Sequence, residues 1–209
     1  MSLDAFASEF QQAFDEKMAA REKALPAARR AIRASANAIR AIHRQNFERA
    51  HELQAEARAA LDEGFEATAE HPDIRHAGFL HDAAKEYAEA IITEAVVTGV
   101  DIPGPNEIGV GIPAWLNGLS EAIGEARRFI LDLLRRGEHA RGEEVLATMD
   151  DMYALLVTMD YPDALTGNLR RSTDVARSIL EKTRGDLTMS IVQEDLRESL
   201  ERHARGVDG

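Results

Sequence analysis

The chain of 209 residues contains no cysteine at all. This absence excludes disulfide bonds, thiolate metal sites and cysteine nucleophiles together. A metal ion would therefore have to be held by carboxylate or carbonyl oxygens or by histidine nitrogens.

Aromatic residues and long apolar runs are also scarce. Phe, Trp and Tyr make up only 5% of the chain, which argues against an extended platform for stacking nucleobases. No run approaches the roughly 18 to 20 apolar residues that a bilayer-spanning helix needs. The first residues, MSLDAFASEF, carry acids where a signal peptide would have a basic stretch followed by an apolar one. We therefore expect a cytoplasmic protein.

Basic residues are outnumbered, and lysine is rare among them. The formal charge is -12, and there are 25 Lys and Arg residues against 37 Asp and Glu residues. Such a balance argues against a general polyanion-binding surface, so any role in nucleic-acid binding requires a local basic patch.

What the sequence has in abundance is alanine, leucine, glutamate and arginine, without alternating β-branched runs. This composition predicts an all-α fold, a single-domain bundle of about seven helices over residues 1–204 with a disordered tail at 205–209. Glycines and prolines mark a loop at residues 99–113. The predicted helices are Leu3–Arg44 with a bend at Pro26, Phe47–Ala69, Pro72–Thr98, Pro113–Arg136, Gly142–Thr158, Tyr161–Arg184 and Leu187–His203, the last two separated by Gly185.

The first predicted helix carries a row of arginines. No acidic residue lies between Lys23 and Glu48, and at about 100° per residue four of the arginines fall within roughly 60° of one another. They are Arg29, Arg33, Arg40 and Arg44. One interpretation is an ordinary solvated helix face. The other is a track for a phosphate backbone, because arginine forks match phosphate oxygens.

The third predicted helix carries acids within an apolar surface. In the stretch AAKEYAEAII, Glu86 and Glu89 share a stripe with Asp82 and Thr93, and no cation stands at the i+3 or i+4 positions. Like charges at that spacing repel each other. A divalent cation such as Mg²⁺, which prefers carboxylate oxygens, would turn the repulsion into a binding site.

The fourth predicted helix has a second acidic pair, Glu121 and Glu125, with Arg128 on the same side. This stripe lies opposite Leu119 and Ile123, as the solvent face of an amphipathic helix would. Periodicity alone therefore favours a plain surface role for this pair.

Several segments in order resemble the translin family, and most closely its translin-associated factor X branch. They are FQQAFDEKMAAREKALPAARRAIRASANAIRAIHR, KEYAEA and GIPAWLNGLSEAIGEARR, with a weaker likeness through MDDMYALLVTMDYP, so that roughly residues 8 to 190 are covered. The resemblance implies an all-α fold of seven helices, a hollow octamer, and binding of single-stranded RNA or DNA. The factor X branch adds Mg²⁺-dependent endoribonuclease activity, for which Mn²⁺ is an alternative cation.

The resemblance also implies the residues of the site. Glu86 and Glu89 match the two glutamates of the EYxE motif, and Glu125 matches the glutamate of a Gly-Glu pair. Glu121 stands where that branch has an aspartate, so its carboxylate is displaced by one methylene. These four glutamates are the expected metal ligands and catalytic residues, with Glu121 acting as a ligand or as a base. A second translin-like subunit is an alternative to a homo-oligomer.

Two other functions stay open at this stage. A nucleic-acid-binding oligomer without catalysis would need the basic row but not the acids. A di-metal carboxylate bundle would need two Glu-x-x-His pairs, and the chain offers one, Glu48 with His51, plus the off-type Asp73 with His76.

Overall fold

A computed structural model describes residues 3–207, and over that range the protein is all α-helical, as predicted, without a β-strand. The helices, numbered along the chain, are α1 Leu3–His43, α2 Phe47–Ala67, α3 Pro72–Arg75, α4 Phe79–Thr98, α5 Ile112–Arg135, α6 His139–Val157, α7 Asp163–Thr166 and α8 Leu169–Val207. None of them, within the described range, has the length and apolar character needed to cross a membrane.

The described residues divide into two compact units. The first contains the chain up to Glu94 and Pro103–Gly118, and the second contains Ala95–Ile102 and the residues from Leu119 onward. Two of the three division points fall inside continuous helices, α4 and α5, and the third, between Ile102 and Pro103, lies in the loop that joins these helices. The expectation of one domain over residues 1–204 stays a prediction.

In the first unit, α1 packs along α2. The face that α1 buries is made mostly of alanine, so the two helices meet through small side chains. Ile42 and Leu61 are fully buried, and an ion pair between Arg30 and Glu63 links the two helices at the surface. Pro26 lies within α1, which continues through it to His43.

In the second unit, α8 contacts both α5 and α6. Arg127 of α5 donates hydrogen bonds to Thr183 Oγ1 at 3.1 Å and to Asp186 Oδ2 at 2.6 Å. Arg184 pairs with Asp150 of α6 at 2.5 Å. Large apolar side chains form the core between these contacts, and those that are fully buried include Ile123, Ile130, Leu133, Met149, Leu156 and Leu187.

The structure corrects three of the predicted helix boundaries. The predicted helix Tyr161–Arg184 is divided into α7 and α8, because Gly167 and Asn168 adopt positive φ values of 63° and 64° between them. The predicted helix Pro72–Thr98 is interrupted after Arg75 and begins again at Phe79, because Gly78 adopts a φ of 98°, which ends helical geometry. The predicted separation at Gly185 is wrong, since α8 runs through it without a break.

The continuity at Gly185 has a simple energetic reason. A glycine inside a helix costs about 1 kcal/mol relative to alanine. Its neighbours Thr183 and Leu187 are both 0% exposed, and burial of a leucine alone contributes roughly 1.5 to 3 kcal/mol. Because α8 continues to Val207, the predicted disordered tail at 205–209 overlaps the end of this helix. Residues 208–209 lie outside the described residues.

Candidate functional site

Three of the four predicted acids lie close together. Glu86, Glu89 and Glu121 each offer one carboxylate oxygen, and these oxygens lie within 4.8 Å of one another. The first two are one turn apart on α4, and the third is on α5. Over residues 3–207 this is the one group of three or more such side chains close enough to share a metal ion.

A glycine explains why α5 approaches α4 at this level. A Cβ atom added to Gly118 would lie 2.8 Å from Ala88 Cβ, 2.8 Å from the carbonyl oxygen of Lys85 and 2.9 Å from the amide nitrogen of Glu89. Any side chain at this position would therefore collide with the backbone of α4. Glu121 follows one turn later on the same face of the same helix. The spacing of the acids did not indicate this role for Gly118, although Gly118 stands three residues before Glu121 in the sequence.

The cluster is shielded from solvent and carries an excess of negative charge. Glu89 is 9% exposed, and Glu86 and Glu121 are half-buried. The sequence showed no cation at the i+3 or i+4 positions, but the structure places Lys85 Nζ 3.5 Å from Glu86 Oε1. A bound divalent cation would offset the repulsion between neighbouring carboxylates.

Glu125, the fourth predicted ligand, lies outside this group of three among the described residues. It is half-buried on α5, with its carboxylate oxygen 3.7 Å from Arg128 Nη1. The sequence had singled out Glu121 as the residue that departs from the family pattern, yet Glu121 is the one beside Glu86 and Glu89.

The donor set suits a hard divalent cation. Two oxygens that both ligate one Mg²⁺ ion, at about 2.0 to 2.1 Å each, can be no more than about 4.2 Å apart. The three carboxylate oxygens lie within 4.8 Å of one another, so the group is compact enough to hold Mg²⁺ directly or with a water bridging to one carboxylate.

Three arginines of the predicted basic row, Arg29, Arg33 and Arg40, lie on α1, and Arg44 is the first residue after its end. Arg29, Arg33, Arg40 and Arg44 are all exposed. Arg40 donates a hydrogen bond to Asn37 Oδ1 at 2.5 Å. The other three make no ion pair with any residue in the described range. The opposite side of the helix is apolar, with Ile39 and Ile42 buried. Three unpaired guanidinium groups are thus available to an anionic partner.

The residues of the di-metal alternative are used in other ways. His51 Nε2 lies 2.5 Å from Glu94 Oε1, and Asp73 pairs with Lys17 at 2.6 Å. Neither Glu48 with His51 nor Asp73 with His76 belongs to a metal-sized group within residues 3–207. This alternative therefore has no support in the structure.

The first unit also contains a cavity lined by histidines and arginines that the sequence did not predict. His76 and His81 line a cavity of about 540 Å³ together with Arg58 and Arg75. The guanidinium carbon of Arg75 lies 5.0 Å from the centre of the Phe65 ring, an attractive cation–π contact. The sequence could not place these residues together because they come from three separate segments.

Comparison with known proteins supplies the family. No family model matches the chain. An uncharacterised protein of Methanocaldococcus jannaschii, MJ0175, is 30% identical over 187 residues, which cover 89% of this chain and 83% of that protein.

Solved structures of C3PO proteins are also similar to this chain. The structure of AfC3PO in complex with duplex RNA is similar, with 31% identity and a TM-score of 0.80, over 90% of this chain and 97% of that one. A crystal structure of AfC3PO alone gives 30% identity and a TM-score of 0.78 with the same coverage. Apo-NeC3PO, at 20% identity and a TM-score of 0.75, shares the fold. By sequence relatedness over most of its length and by fold, the chain belongs to the translin family, with the C3PO proteins.

Proposed function

We propose that this protein binds single-stranded RNA or DNA and cleaves RNA as a Mg²⁺-dependent endoribonuclease. The binding half of the proposal is supported by the relationship to AfC3PO, for which a complex with duplex RNA is known. Because that complex contains a duplex, single-stranded and double-stranded substrates both need to be compared.

The observation that carries the catalytic half is the convergence of Glu86, Glu89 and Glu121 within 4.8 Å. Like charges at this separation repel one another, and a divalent cation shared by the three carboxylates would offset that repulsion. Carboxylate oxygens grouped in this way are the ligands that hard divalent cations such as Mg²⁺ prefer.

The residues present fit a divalent cation. Glu86, Glu89 and Glu121 would hold Mg²⁺ or Mn²⁺, directly or through water, and Glu125 would contribute from the next turn of α5. Such an ion, when bound, lowers the pKa of water and neutralises negative charge on a phosphate. Glu121 has a second role open to it, as the base that accepts a proton from the attacking water.

The exposed arginines of α1 would position the substrate. Arg29, Arg33, Arg40 and Arg44 form one row of positive charge on an acidic protein. Contacts to phosphates carry no sequence information, so this row predicts binding that is steeply salt-dependent and weakly sequence-specific.

The alternative function is a nucleic-acid-binding oligomer without chemistry. One observation favours it. Glu125, the fourth predicted ligand, lies outside the group of three. An assembly that binds RNA through the arginine row would keep its affinity whether or not a metal were present.

The two functions are separated by cleavage of a labelled single-stranded RNA in Mg²⁺, measured with Glu86→Gln and Glu89→Gln. Each change removes a charge with little change in shape. We expect each to lower the cleavage rate by more than about 100-fold, since even groups behind metal ligands cost 10- to 100-fold. RNA binding should persist in both variants.

Asp82→Asn is the matched control. Asp82 lies one turn before Glu86 on the same helix but outside the cluster, so this variant should cleave at the wild-type rate. Pure wild-type protein that binds RNA without cleaving it in Mg²⁺ or Mn²⁺ would establish the non-catalytic function instead.

A further inference from the structure

A second positively charged surface lies in the second unit, between α5 and α8. It is a groove of about 510 Å³. Its polar side chains are Arg127, Arg171, Asp174, Ser178 and Lys182, and its floor is formed by Val175 and Ile179. None of these residues belongs to the acidic cluster or to the arginine row of α1.

The groove lies beside the turn of α5 that carries Glu125. A Cβ atom added to Gly124 would lie 3.9 Å from Ile179 Cδ1, in ordinary contact. The floor of the groove therefore packs against the residue next to Glu125. Arg127, two residues after Glu125, forms one side of the groove and is held there by Thr183 and Asp186.

Two cations in the groove have no partner. Arg171 and Lys182 are exposed, and neither makes a hydrogen bond or ion pair with any residue in the described part of the chain. At 100° per residue, Arg171, Ser178 and Lys182 fall within about 40° of one another on α8. The row they form extends about 16 Å, at 1.5 Å per residue.

This arrangement matches the chemistry of a sugar-phosphate backbone. Two unpaired cations and an available hydroxyl in a row on α8, with the guanidinium of Arg127 on the α5 side of the groove, offer contacts to successive phosphates. An isolated cation pair on a chain of net charge -12 is also a local exception to the acidic surface, which strengthens its attraction for an anion. The apolar floor accommodates sugar carbons.

We propose that Arg171, Ser178 and Lys182 form, with Arg127, a phosphate-binding groove that holds one RNA strand alongside the Glu125 turn of α5. The inference rests on the proposed function, because the strand held there is the one to be cleaved. These residues are positioning residues, and they do not touch the reacting atoms.

Asp174 allows a test in which a substitution is expected to strengthen RNA binding. Its carboxylate lines the same groove and repels a phosphate backbone. If RNA occupies the groove, Asp174→Asn should strengthen binding by about two- to fivefold, the range expected for one exposed charge contact. Asp195→Asn is the control, since Asp195 is exposed on α8 and lies outside the groove.

The main test is the salt dependence of binding to a fluorescein-labelled oligouridylate, measured by fluorescence anisotropy with Arg171→Gln/Lys182→Gln. Each lost contact to a single strand reduces the slope of log K against log salt by about 0.7, so the double variant should lose about 1.4 and bind about 25-fold more weakly near 0.1 M salt. The control Arg170→Gln/Arg202→Gln removes two exposed α8 charges outside the groove and should keep the wild-type slope.

The possible outcomes distinguish failure of the groove proposal from failure of the proposed function. If wild-type protein binds RNA and both double variants show the same salt slope, the groove does not hold the RNA, although the protein still binds it. A wild-type protein that binds no RNA would overturn the groove and the proposed function together. If the double variant failed to fold, Asp174→Asn would decide, because an affinity equal to that of wild type and Asp195→Asn rejects the groove.

Discussion

At the scale of single residues, Arg58 shows how one side chain can organise a loop. Its Nη1 atom donates hydrogen bonds to the carbonyl oxygens of Ile108 at 3.1 Å and Gly109 at 2.9 Å. Its Nε atom donates to Asp62 Oδ2 at 3.0 Å, and its guanidinium carbon lies 5.9 Å from the ring centre of Tyr87. Arg58 thus ties α2 to the loop before α5 and to the tyrosine between Glu86 and Glu89.

Asp62 keeps Arg58 in this position, and its titration should be visible in stability. The hydrogen bond from Arg58 lowers the pKa of Asp62 below its usual value of 3.8. A carboxyl group with a lowered folded-state pKa stabilises the fold above its unfolded pKa, and the contribution disappears as the pH falls through the folded value. Because the Asp62 side chain is 62% exposed, solvent screening limits the effect to a few tenths of a kcal/mol.

We expect Asp62→Asn to lower the free energy of unfolding by about 0.5 kcal/mol at pH 7, with the difference vanishing once the pH is below the folded-state pKa. Urea denaturation at pH 7 and at a pH below the folded-state pKa of Asp62 measures this difference in the free energy of unfolding. Asp195→Asn should change stability little at either pH, because Asp195 is exposed on α8 and makes no ion pair with any residue from 3 to 207. A difference between Asp62→Asn and wild type that persists at the lower pH would contradict the assignment.

The sequence predicted the identity of the acids but not their immediate partners. Glu86 and Glu89 follow from the spacing of acids within apolar surface. The contact between Lys85 and Glu86 does not, because neighbouring residues on a helix point in different directions. It forms because the long lysine side chain is flexible enough to bend towards the carboxylate.

At the scale of helices, Gly118 determines how closely α5 can approach α4. The position that its Cβ would take lies within 3 Å of three atoms of α4, two of them in the backbone. Backbone atoms cannot move aside as a side chain can. A methyl group here would force the two helices apart and separate Glu121 from the two acids of α4.

Gly118→Ala should therefore destabilise the protein by about 1 to 3 kcal/mol, the usual cost of overpacking, and should weaken Mn²⁺ binding to the acids. Thermal unfolding and titration calorimetry with Mn²⁺ measure the two effects. Gly124→Ala is the control on the same helix, because its nearest neighbour would be 3.9 Å away. It should leave Mn²⁺ affinity unchanged and be neutral or stabilising by up to about 1 kcal/mol. Equal behaviour of the two variants would refute this role for Gly118.

Helix positions were largely predictable from the sequence, whereas some helix ends were not. Amphipathic periodicity located α1, α2, α5 and α6 to within a few residues. Gly78 and Gly185 look alike in the sequence, yet only Gly78 interrupts a helix. The difference lies in tertiary packing, since the residues around Gly185 are buried on both sides, and packing of that kind is not visible in local sequence.

At the scale of the whole molecule, two helices expose apolar rows to solvent. On α1 the exposed row is Leu3, Phe6, Phe10, Phe14 and Met18. On α8 it is Met189, Val192, Leu196 and Leu200. Apolar rows of this length are typical of surfaces that bind another protein, and they support the expected homo-oligomer. The octamer that the family resemblance implies stays a prediction.

Phe10→Asp/Phe14→Asp should break the assembly into smaller species, because two charges replace the exposed aromatic rings at the centre of the α1 row. Size-exclusion chromatography with light scattering gives the mass directly. The control Ser8→Asp/Gln12→Asp places the same two charges on the opposite side of the same helix and should keep the wild-type mass. A wild-type monomer, or an unchanged mass for the phenylalanine variant, would show that this row is not an interface.

The central claim is that Glu86, Glu89 and Glu121 form a divalent cation site. The most direct test is a crystal soaked in Mn²⁺ and measured at a wavelength where manganese scatters anomalously. The account predicts a peak of anomalous density bounded by these three carboxylates, and no such peak in Glu86→Gln. An empty site in the wild-type crystal, with the acids of α4 and α5 pointing apart, would contradict it.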